Sequence, residues 1–414
     1  MTLNAKRKRA HDKLAALPGV SSVRRPVTTG GAERFDVFYV RSGPVTDHPL
    51  VIIPGGPGVA SVQQYRAVRR RLADQGIDVL MVEHRGVGMS RHDDAGADLP
   101  PEAITVDEVL DDIAAVLDDA GVDTADIYGT SYGSYLAAGL GVRHPHRVHS
   151  MILDSPVLSA RDIEAVRAAV RGLLLHGPHP EATRLAPKVR RLIDRGVLAP
   201  STVEVASAVY GYGGVKLLER QLDLLLSGRT LLWRGIAQMN QLMMRKVPYR
   251  NEIDLVGRIA FRELDYVGQP DGLPLDPSES MQELWVQSTE AATEFEAEPY
   301  DLVSEMPRFG WPTVVLSGGR DLTTPPAVAA RVAALIPDAV LVELPTAAHS
   351  VLDFRERAAI EIITAVRNGE RDSLPARAAE LDALPAHPAL RLLMSAIAAA
   401  AVVENALPPL PATS

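Results

Sequence analysis

Short, mainly apolar runs alternate with longer amphipathic segments along the first 156 residues. These runs lie at 50–53, 77–82, 125–128 and 151–153, and the second and third each contain one aspartate. A continuous apolar run such as 50–53 is typical of a parallel strand that helices cover on both faces. Residues 20–43 predict two further strands, separated by the turn sequence Thr-Thr-Gly-Gly. Strands that alternate with helical segments predict an α/β fold with a mainly parallel sheet.

The strand pattern stops at about residue 157 and resumes with the apolar runs at 313–316 and 339–344. The intervening stretch has helical periodicity, which predicts a helical cap inserted between two strands of the sheet. A helix is also expected near the C-terminus, at 389–405. The predicted division is a core at 1–156 and 307–368, a cap at 157–306 and a helical tail at 369–414.

Composition narrows the possible functions of this 414-residue chain. It has 52 acidic and 43 basic residues, hence a net charge of −9, which argues against nucleic acid or an anionic membrane as a partner. We expect the basic run at 6–9 to be a solvated end of the chain. The chain has no cysteine, which excludes disulfides and a cysteine nucleophile. No secretory signal follows the N-terminus and the apolar run at 392–403 is short, so we expect a cytoplasmic protein.

A serine flanked by two glycines gives the first indication of chemistry. Gly129-Thr-Ser131-Tyr-Gly133 follows the apolar run at 125–128 and precedes a helix-like segment. A strand, a tight turn and a helix in this order are typical of a nucleophile elbow, in which the serine hydroxyl stands above the sheet edge. The sequence therefore predicts Ser131 as a nucleophile.

A serine nucleophile needs a base, and the base needs an orienting acid. His349 follows the predicted strand 339–344, and Asp321 follows the strand 313–316 after a glycine turn. The resulting chain order of serine, acid and histidine is the one that an elbow of this kind requires. We expect Ser131, Asp321 and His349 to form a catalytic triad.

An oxyanion hole needs backbone N–H groups close to the nucleophile. We expect one from Tyr132, the residue after the serine. The other should come from the loop Pro54-Gly-Gly-Pro-Gly58, where Pro57 has no N–H, so Gly56 is the first candidate and Gly55 the second. No dinucleotide, phosphate-loop or metal-ligand motif occurs, and we expect no cofactor and no metal.

Taken together, these motifs resemble those of proline iminopeptidases and tripeptidyl aminopeptidases. The four motifs are Pro54-Gly-Gly-Pro-Gly, Glu83-His-Arg-Gly-Val-Gly-Met-Ser, Gly129-Thr-Ser-Tyr-Gly and Gly319-Arg-Asp-Leu-Thr-Thr-Pro. Two positions depart from the family pattern, because Pro54 replaces a histidine and Glu83 replaces the usual aspartate. The resemblance implies the α/β-hydrolase fold with a helical cap, and removal of N-terminal residues from peptides.

Cap carboxylates hold the substrate's free amine in that family. The segment from Glu283 to Glu294 resembles the acidic cap segment loosely, and on a helix 283, 290 and 294 would share one face. Glu290 and Glu294 are therefore candidates for substrate binding, and a solvated acidic face is the alternative.

The expected activity is that of a serine aminopeptidase that acts on short peptides or aminoacyl amides through an acyl-enzyme. The alternative is a carboxylester or lactone hydrolase with the same triad, and a non-catalytic receptor on this fold is a third possibility. The expected partner is a small or short-peptide substrate, without nucleic acid or membrane. The C-terminal tail could also form a homo-oligomer.

Overall fold

The structure of this chain is a computed structural model that describes residues 5–177, 179–198, 202–243, 245–266, 268–288 and 294–407. Within these residues, eight strands form one sheet. The strands are β1 (Val20–Pro26), β2 (Arg34–Ser42), β3 (Leu50–Ile53), β4 (Val79–Val82), β5 (Ala125–Thr130), β6 (Val148–Asp154), β7 (Thr313–Gly318) and β8 (Ala339–Leu344).

The sheet has the order β1-β2-β4-β3-β5-β6-β7-β8. The β1–β2 and β2–β4 pairs are antiparallel, and every pair from β4–β3 to β7–β8 is parallel. All strands predicted from the apolar runs are therefore present, with ends that differ by a few residues. The loops after β3, β4, β5, β7 and β8 leave the same edge of the parallel part of the sheet.

Helices fill the connections between strands. Those before β7 are α1 (Ala5–Ala15), α2 (Ser61–Gln64), α3 (Arg66–Asp74), α4 (Val106–Asp119), α5 (Tyr132–Arg143), α6 (Asp162–Arg171), α7 (Ala182–Asp194), α8 (Thr202–Leu226), α9 (Leu231–Met243), α10 (Ile253–Val256), α11 (Arg258–Arg262), α12 (Pro277–Ser288) and α13 (Leu302–Glu305). The later ones are α14 (Pro326–Leu335), α15 (Val351–Phe354), α16 (Glu356–Arg367), α17 (Ala378–Ala383) and α18 (Pro388–Ala406).

Burial on both faces explains the uninterrupted apolar run of β3. Along β3, Val51 and Ile53 belong to a core cluster with α4 and α5, whereas Leu50 and Ile52 belong to a second cluster with α3 and α16. Successive strand side chains point to opposite faces, so a strand covered on both sides needs apolar residues at every position. The sheet is thus the middle layer of three.

The described residues between β6 and β7 contain helices α6 to α13 and no strand of the sheet. The apolar side chains of α6 to α9 form a separate buried cluster, to which Ile397 of the C-terminal helix α18 also belongs. Leu255, Val256 and Ile259, in α10 and α11, belong instead to the core cluster that contains Val51 and Ile53. The long helix α8 is interrupted at Gly214, which has φ 77° and ψ 176°. Helix α18 packs against α8 and α9.

The C-terminal helix is longer than the apolar run seen in the sequence. The helix has 19 residues and contains an 18-residue window with a mean hydropathy of 1.5, so it is long and apolar enough to cross a membrane by length and composition alone. A single helix of this kind is a weak indication of a membrane span. In the structure the helix docks on α9, because the Glu404 carboxylate accepts the N–H groups of Leu231 and Leu232 at 2.8 and 2.9 Å.

The basic N-terminal run is only partly solvated, so the expectation for this segment is wrong at Arg7. Helix α1 places the Arg7 side chain against the core, where it is 10% exposed and paired with Glu252. Arg9, on the same helix, is exposed. The partner lies 245 residues away in sequence, which is why local charge patterning did not indicate the pair.

Candidate active site

Ser131 lies in the turn between β5 and α5 with φ 53° and ψ −122°. This backbone conformation is rare for a residue with a side chain and indicates local strain. The flanking glycines make the turn possible. A Cβ at Gly129 would lie 2.2 Å from the carbonyl oxygen of Gly133, and a Cβ at Gly133 would lie 2.1 Å from that of Ile53. The local structure is therefore the strand, turn and helix of a nucleophile elbow.

His349 follows β8 and its imidazole reaches the serine across the sheet edge. Its Nε2 lies 2.9 Å from Ser131 Oγ, and its Nδ1 lies 2.9 Å from Asp321 Oδ2. These distances are those of hydrogen bonds. The structure therefore brings together the three side chains predicted to form the triad, although Ser131 and His349 are 218 residues apart.

Asp321 follows β7 and is 2% exposed. Its Oδ1 accepts the N–H groups of Thr323 and Thr324 at 2.8 and 2.9 Å. The Thr324 hydroxyl donates to Oδ2 at 2.9 Å. These bonds fix the carboxylate and leave Oδ2 directed at the imidazole.

The electrostatics favour a charged aspartate beside a basic histidine. Burial by itself would raise the pKa of Asp321, but the His349 charge and the hydrogen bonds outweigh it and hold that pKa below its usual value. Burial would likewise lower the pKa of His349, but the charge and hydrogen bond of Asp321 raise it above the usual histidine value. The pair thus makes His349 a stronger base than a free imidazole.

The glycine loop after β3 lies against the serine. A Cβ at Gly55 would be 3.2 Å from the Cβ of Ser131, and Gly56 has φ 136°, which favours glycine. Tyr132 begins α5 directly after the serine. The structure places Gly55 and Tyr132 next to Ser131. The role of Gly56, Gly55 and Tyr132 as oxyanion donors stays a prediction.

A second buried carboxylate holds the histidine loop. Asp154 at the end of β6 accepts the N–H groups of Val351 and Leu352 at 3.0 and 2.9 Å. The Tyr128 hydroxyl donates to it at 2.8 Å. These bonds fix the start of α15, immediately after His349. The Asp-Ser-Pro sequence at the strand end was the only sequence signal of this role.

The inserted segment packs against the histidine loop. A Cβ at Gly211 of α8 would be 3.0 Å from the Cβ of Ala348, next to His349. The Tyr212 ring stacks at an angle on Phe354, with centroids 4.5 Å apart. Helix α8 therefore packs directly on the loop that carries the histidine.

Of the two cap acids predicted to bind the substrate amine, Glu290 and Glu294, the structure describes only Glu294. Helix α12 is described from Pro277 to Ser288, and Glu294 is exposed and outside any helix. The prediction that 283, 290 and 294 share one helical face is therefore wrong for Glu294. Glu290 lies outside the described residues.

Comparisons with known proteins agree with the topology. Residues 48–177 match the family model described as alpha/beta hydrolase fold. A 2-hydroxymuconate semialdehyde hydrolase of Pseudomonas sp. strain CF600 is 34% identical over 107 residues, 25% of this chain and 35% of that protein. A proline iminopeptidase of Heyndrickxia coagulans is 28% identical over 134 residues, 32% of this chain and 42% of that protein. The chain spans about a third to a half of the length of the curated relatives it matches.

Among solved structures, a proline iminopeptidase of Mycobacterium smegmatis is 17% identical with a TM-score of 0.46. The match covers 87% of this chain and 99% of that one. The strand order, the family match and the position of the elbow define the fold: this chain has the α/β-hydrolase fold.

Proposed function

We propose that this protein is a serine hydrolase that forms an acyl-enzyme on Ser131. The single observation that carries the proposal is the hydrogen-bonded line from Ser131 Oγ through His349 to Asp321, with both distances at 2.9 Å. A strained serine, an oriented imidazole and a buried ionised carboxylate are the parts that nucleophilic acyl transfer needs.

In the proposed mechanism, Ser131 Oγ attacks the substrate carbonyl carbon while His349 Nε2 takes the hydroxyl proton. The carbonyl oxygen becomes an oxyanion, which backbone N–H groups of the Gly55 loop and Tyr132 stabilise. Collapse of this intermediate breaks the bond to the leaving group, which takes the proton from His349. A water molecule then attacks the acyl-enzyme carbonyl and gives its proton to His349. Collapse of the second intermediate breaks the bond to Ser131 Oγ, which takes the proton back, and the acid is released. Asp321 stays ionised throughout.

A fluorophosphonate probe tests this proposal. The wild type should be labelled at Ser131, and Ser131→Ala should lose labelling and turnover. The elbow depends on the glycines and not on the hydroxyl, so this variant should fold normally. Labelling at another serine, or turnover by the variant, would contradict the proposal.

For the substrate, we propose short peptides or aminoacyl amides with a free N-terminus. The support is the order and spacing of the four motifs, together with the partial match to a proline iminopeptidase of Heyndrickxia coagulans. An aminopeptidase must recognise an ammonium group, and a desolvated carboxylate is the natural partner. Glu290 is the acid that we assign to this task.

One observation favours a carboxylester or lactone hydrolase instead. Glu294 is exposed and outside the helix, so one of the two acids proposed for the amine does not have the required position. An uncharged acyl group would need no such acid. The triad would act in the same way.

Two substrate panels separate these functions: aminoacyl naphthylamides and p-nitrophenyl esters of graded length. If the aminopeptidase proposal holds, Glu290→Gln raises KM for the naphthylamides tenfold or more and leaves the esters unchanged. Glu294→Gln is the matched control, since it removes an exposed charge from the same segment. Equal cleavage of N-acetylated and free substrates would favour the ester hydrolase.

We also propose that the protein is cytoplasmic and that α18 can mediate self-association. Leu392, Val402 and Val403 of this helix are exposed. Light scattering of the wild type and of Val402→Glu would decide whether this face joins two copies.

A further inference from the structure

Part of the inserted segment pairs with the loop that follows the oxyanion glycines. The Glu252 N–H donates to the carbonyl of Gly58 at 2.8 Å, and the Ala60 N–H donates to the carbonyl of Arg250 at 2.9 Å. Val59 and Asn251 form an antiparallel bridge between these two bonds. Gly58 is two residues from Gly56, so this short ladder fixes the exit of the oxyanion loop.

The Glu252 side chain connects the same segment to a second loop at the sheet edge. Its carboxylate is fully buried, and Oε2 accepts the N–H of Gly88, in the loop after β4. Its Oε1 lies 2.5 Å from Nη1 of Arg7, in the N-terminal helix. Arg7 Nη2 donates to the carbonyl of Gly88 at 3.0 Å. Arg7 and Glu252 therefore hold both backbone groups of Gly88.

Another buried carboxylate makes the arginine important for charge balance. A Cβ at Gly88 would be 2.1 Å from Glu83 Oε2, so Glu83 lies directly beside this glycine. Burial, with the Glu252 charge as a smaller cause, raises the pKa of Glu83 to about 7. Arg69 and Arg91 add positive charge on this side, near Glu83 and Glu252 respectively. Arg7 is the cation in direct contact with Glu252, and its loss would leave a buried anion beside Glu83.

The N-terminal helix is itself fixed against the inserted segment. The Tyr249 hydroxyl donates to the carbonyl of Arg7 at 2.8 Å. The Arg7 guanidinium lies 4.6 Å from the centroid of the Tyr249 ring, within the range of a cation–π contact. The helix, the inserted segment and the loop after β4 thus meet at one buried ion pair.

We propose that Arg7 and Glu252 are positioning residues for the oxyanion loop. The pair holds residues 250–252 against the core. The backbone bonds of these residues then hold Gly58 in place, and with it the glycines beside Ser131. An oxyanion donor acts only when it is held at the right place before the reaction, so loosening this ladder slows acylation. The inference rests on the proposed serine hydrolase chemistry and makes α1 part of the catalytic assembly.

The test compares Arg7→Met with Arg9→Met. Both variants remove one positive charge from α1, but only Arg7 contacts the buried carboxylate. The rate of Ser131 labelling by the fluorophosphonate and kcat for a p-nitrophenyl ester should fall tenfold or more in Arg7→Met. KM should stay within twofold, because neither Arg7 nor Glu252 is proposed to contact the substrate, and Arg9→Met should match the wild type. Arg7→Lys keeps the charge and should recover part of the rate.

Glu252→Gln is the second variant, since it keeps an acceptor for Gly88 and loses the ion pair. The inference is overturned if the Arg7→Met and Glu252→Gln variants, both with wild-type circular dichroism, label within twofold of the wild type. If Arg7→Met does not fold, the Glu252→Gln rate alone decides. A wild type that is not labelled at all would instead refute the serine hydrolase chemistry, so the two failures are distinguishable.

Discussion

Replacing Asp321 by asparagine changes one oxygen to an amide nitrogen at the centre of the site. The asparagine can keep its oxygen toward the N–H groups of Thr323 and Thr324, which lie 2.8 and 2.9 Å from Oδ1 in the wild type. The amide nitrogen then takes the place of Oδ2, 2.9 Å from His349 Nδ1. The Thr324 hydroxyl can rotate and accept from it. The backbone of the loop therefore has no reason to move.

The proton on the imidazole must move, however. An amide nitrogen donates, so Nδ1 of His349 has to accept and the proton goes to Nε2. A protonated Nε2 faces Ser131 Oγ at 2.9 Å and cannot take its proton. The variant thus holds the correct geometry with the wrong tautomer.

The loss should be large. The same exchange in the catalytic triad of a serine protease lowers kcat by about 10⁴. At about 1.4 kcal/mol for each factor of ten, this is roughly 5 kcal/mol of transition-state stabilisation. The bonds to Asp321 here are of the same kind, so we expect a loss of about 10³ to 10⁴.

The assay is kcat for a p-nitrophenyl ester together with the labelling rate at Ser131, each measured from pH 6 to 10. Asp154→Asn is the matched control, because Asp154 is also buried at this sheet edge but bonds the backbone after His349. Its main effect should be on thermal stability. If Asp321→Asn stays within tenfold of the wild type, the tautomer argument is refuted, and Asp154 becomes the next acid to test.

Three further outcomes follow from the structure. Activity should fall as pH decreases through the pKa of His349, and the midpoint should lie above the usual histidine value, because Asp321 raises that pKa; a pH profile of kcat/KM locates it. Gly133→Ala should not give a stable protein, as judged by soluble yield and thermal melting, because the added Cβ would lie 2.1 Å from the carbonyl of Ile53. Burial lowers the pKa of His84 to about 4. The buried neutral imidazole therefore contributes to stability above the unfolded-state pKa, and this contribution is lost as pH falls from about 6.5 toward 4. Urea unfolding at pH 5 and pH 7.5 should show a smaller pH difference for His84→Leu, and equal differences would contradict the assignment.

The sheet and the three chemical side chains could be predicted because each has a local signal. A parallel strand buried on both faces is apolar at nearly every position, so β3 stands out in the sequence. The elbow needs glycine where a Cβ would clash, which marks Gly129 and Gly133. Asp321 and His349 follow from chain order, since each lies in the loop after a strand, and both loops leave the same edge of the sheet.

The inserted segment was harder to predict because its important contacts are not local. The helical face proposed for Glu294 assumed one continuous helix from 283 to 294, whereas Glu294 lies outside any helix. The basic run that contains Arg7 predicted a solvated surface, because the partner of Arg7, Glu252, is distant in sequence. A strand or an elbow has a characteristic sequence pattern, but a buried ion pair produces no such pattern in the two segments that it joins.

The position of Glu252 bears on how this fold changes specificity. Inserted segments are expected to vary with the substrate, while the sheet edge keeps the chemistry. In this chain the boundary of the inserted segment in sequence differs from its boundary in the structure. Residues 250–252 belong to the segment by sequence, but they pair with the Gly58 loop of the core. An exchange of the whole segment 157–306 would therefore remove a support of the oxyanion loop along with Glu290, the acid proposed to bind the substrate. A variant that keeps 247–254 with the core should retain labelling at Ser131 even when its substrate preference changes.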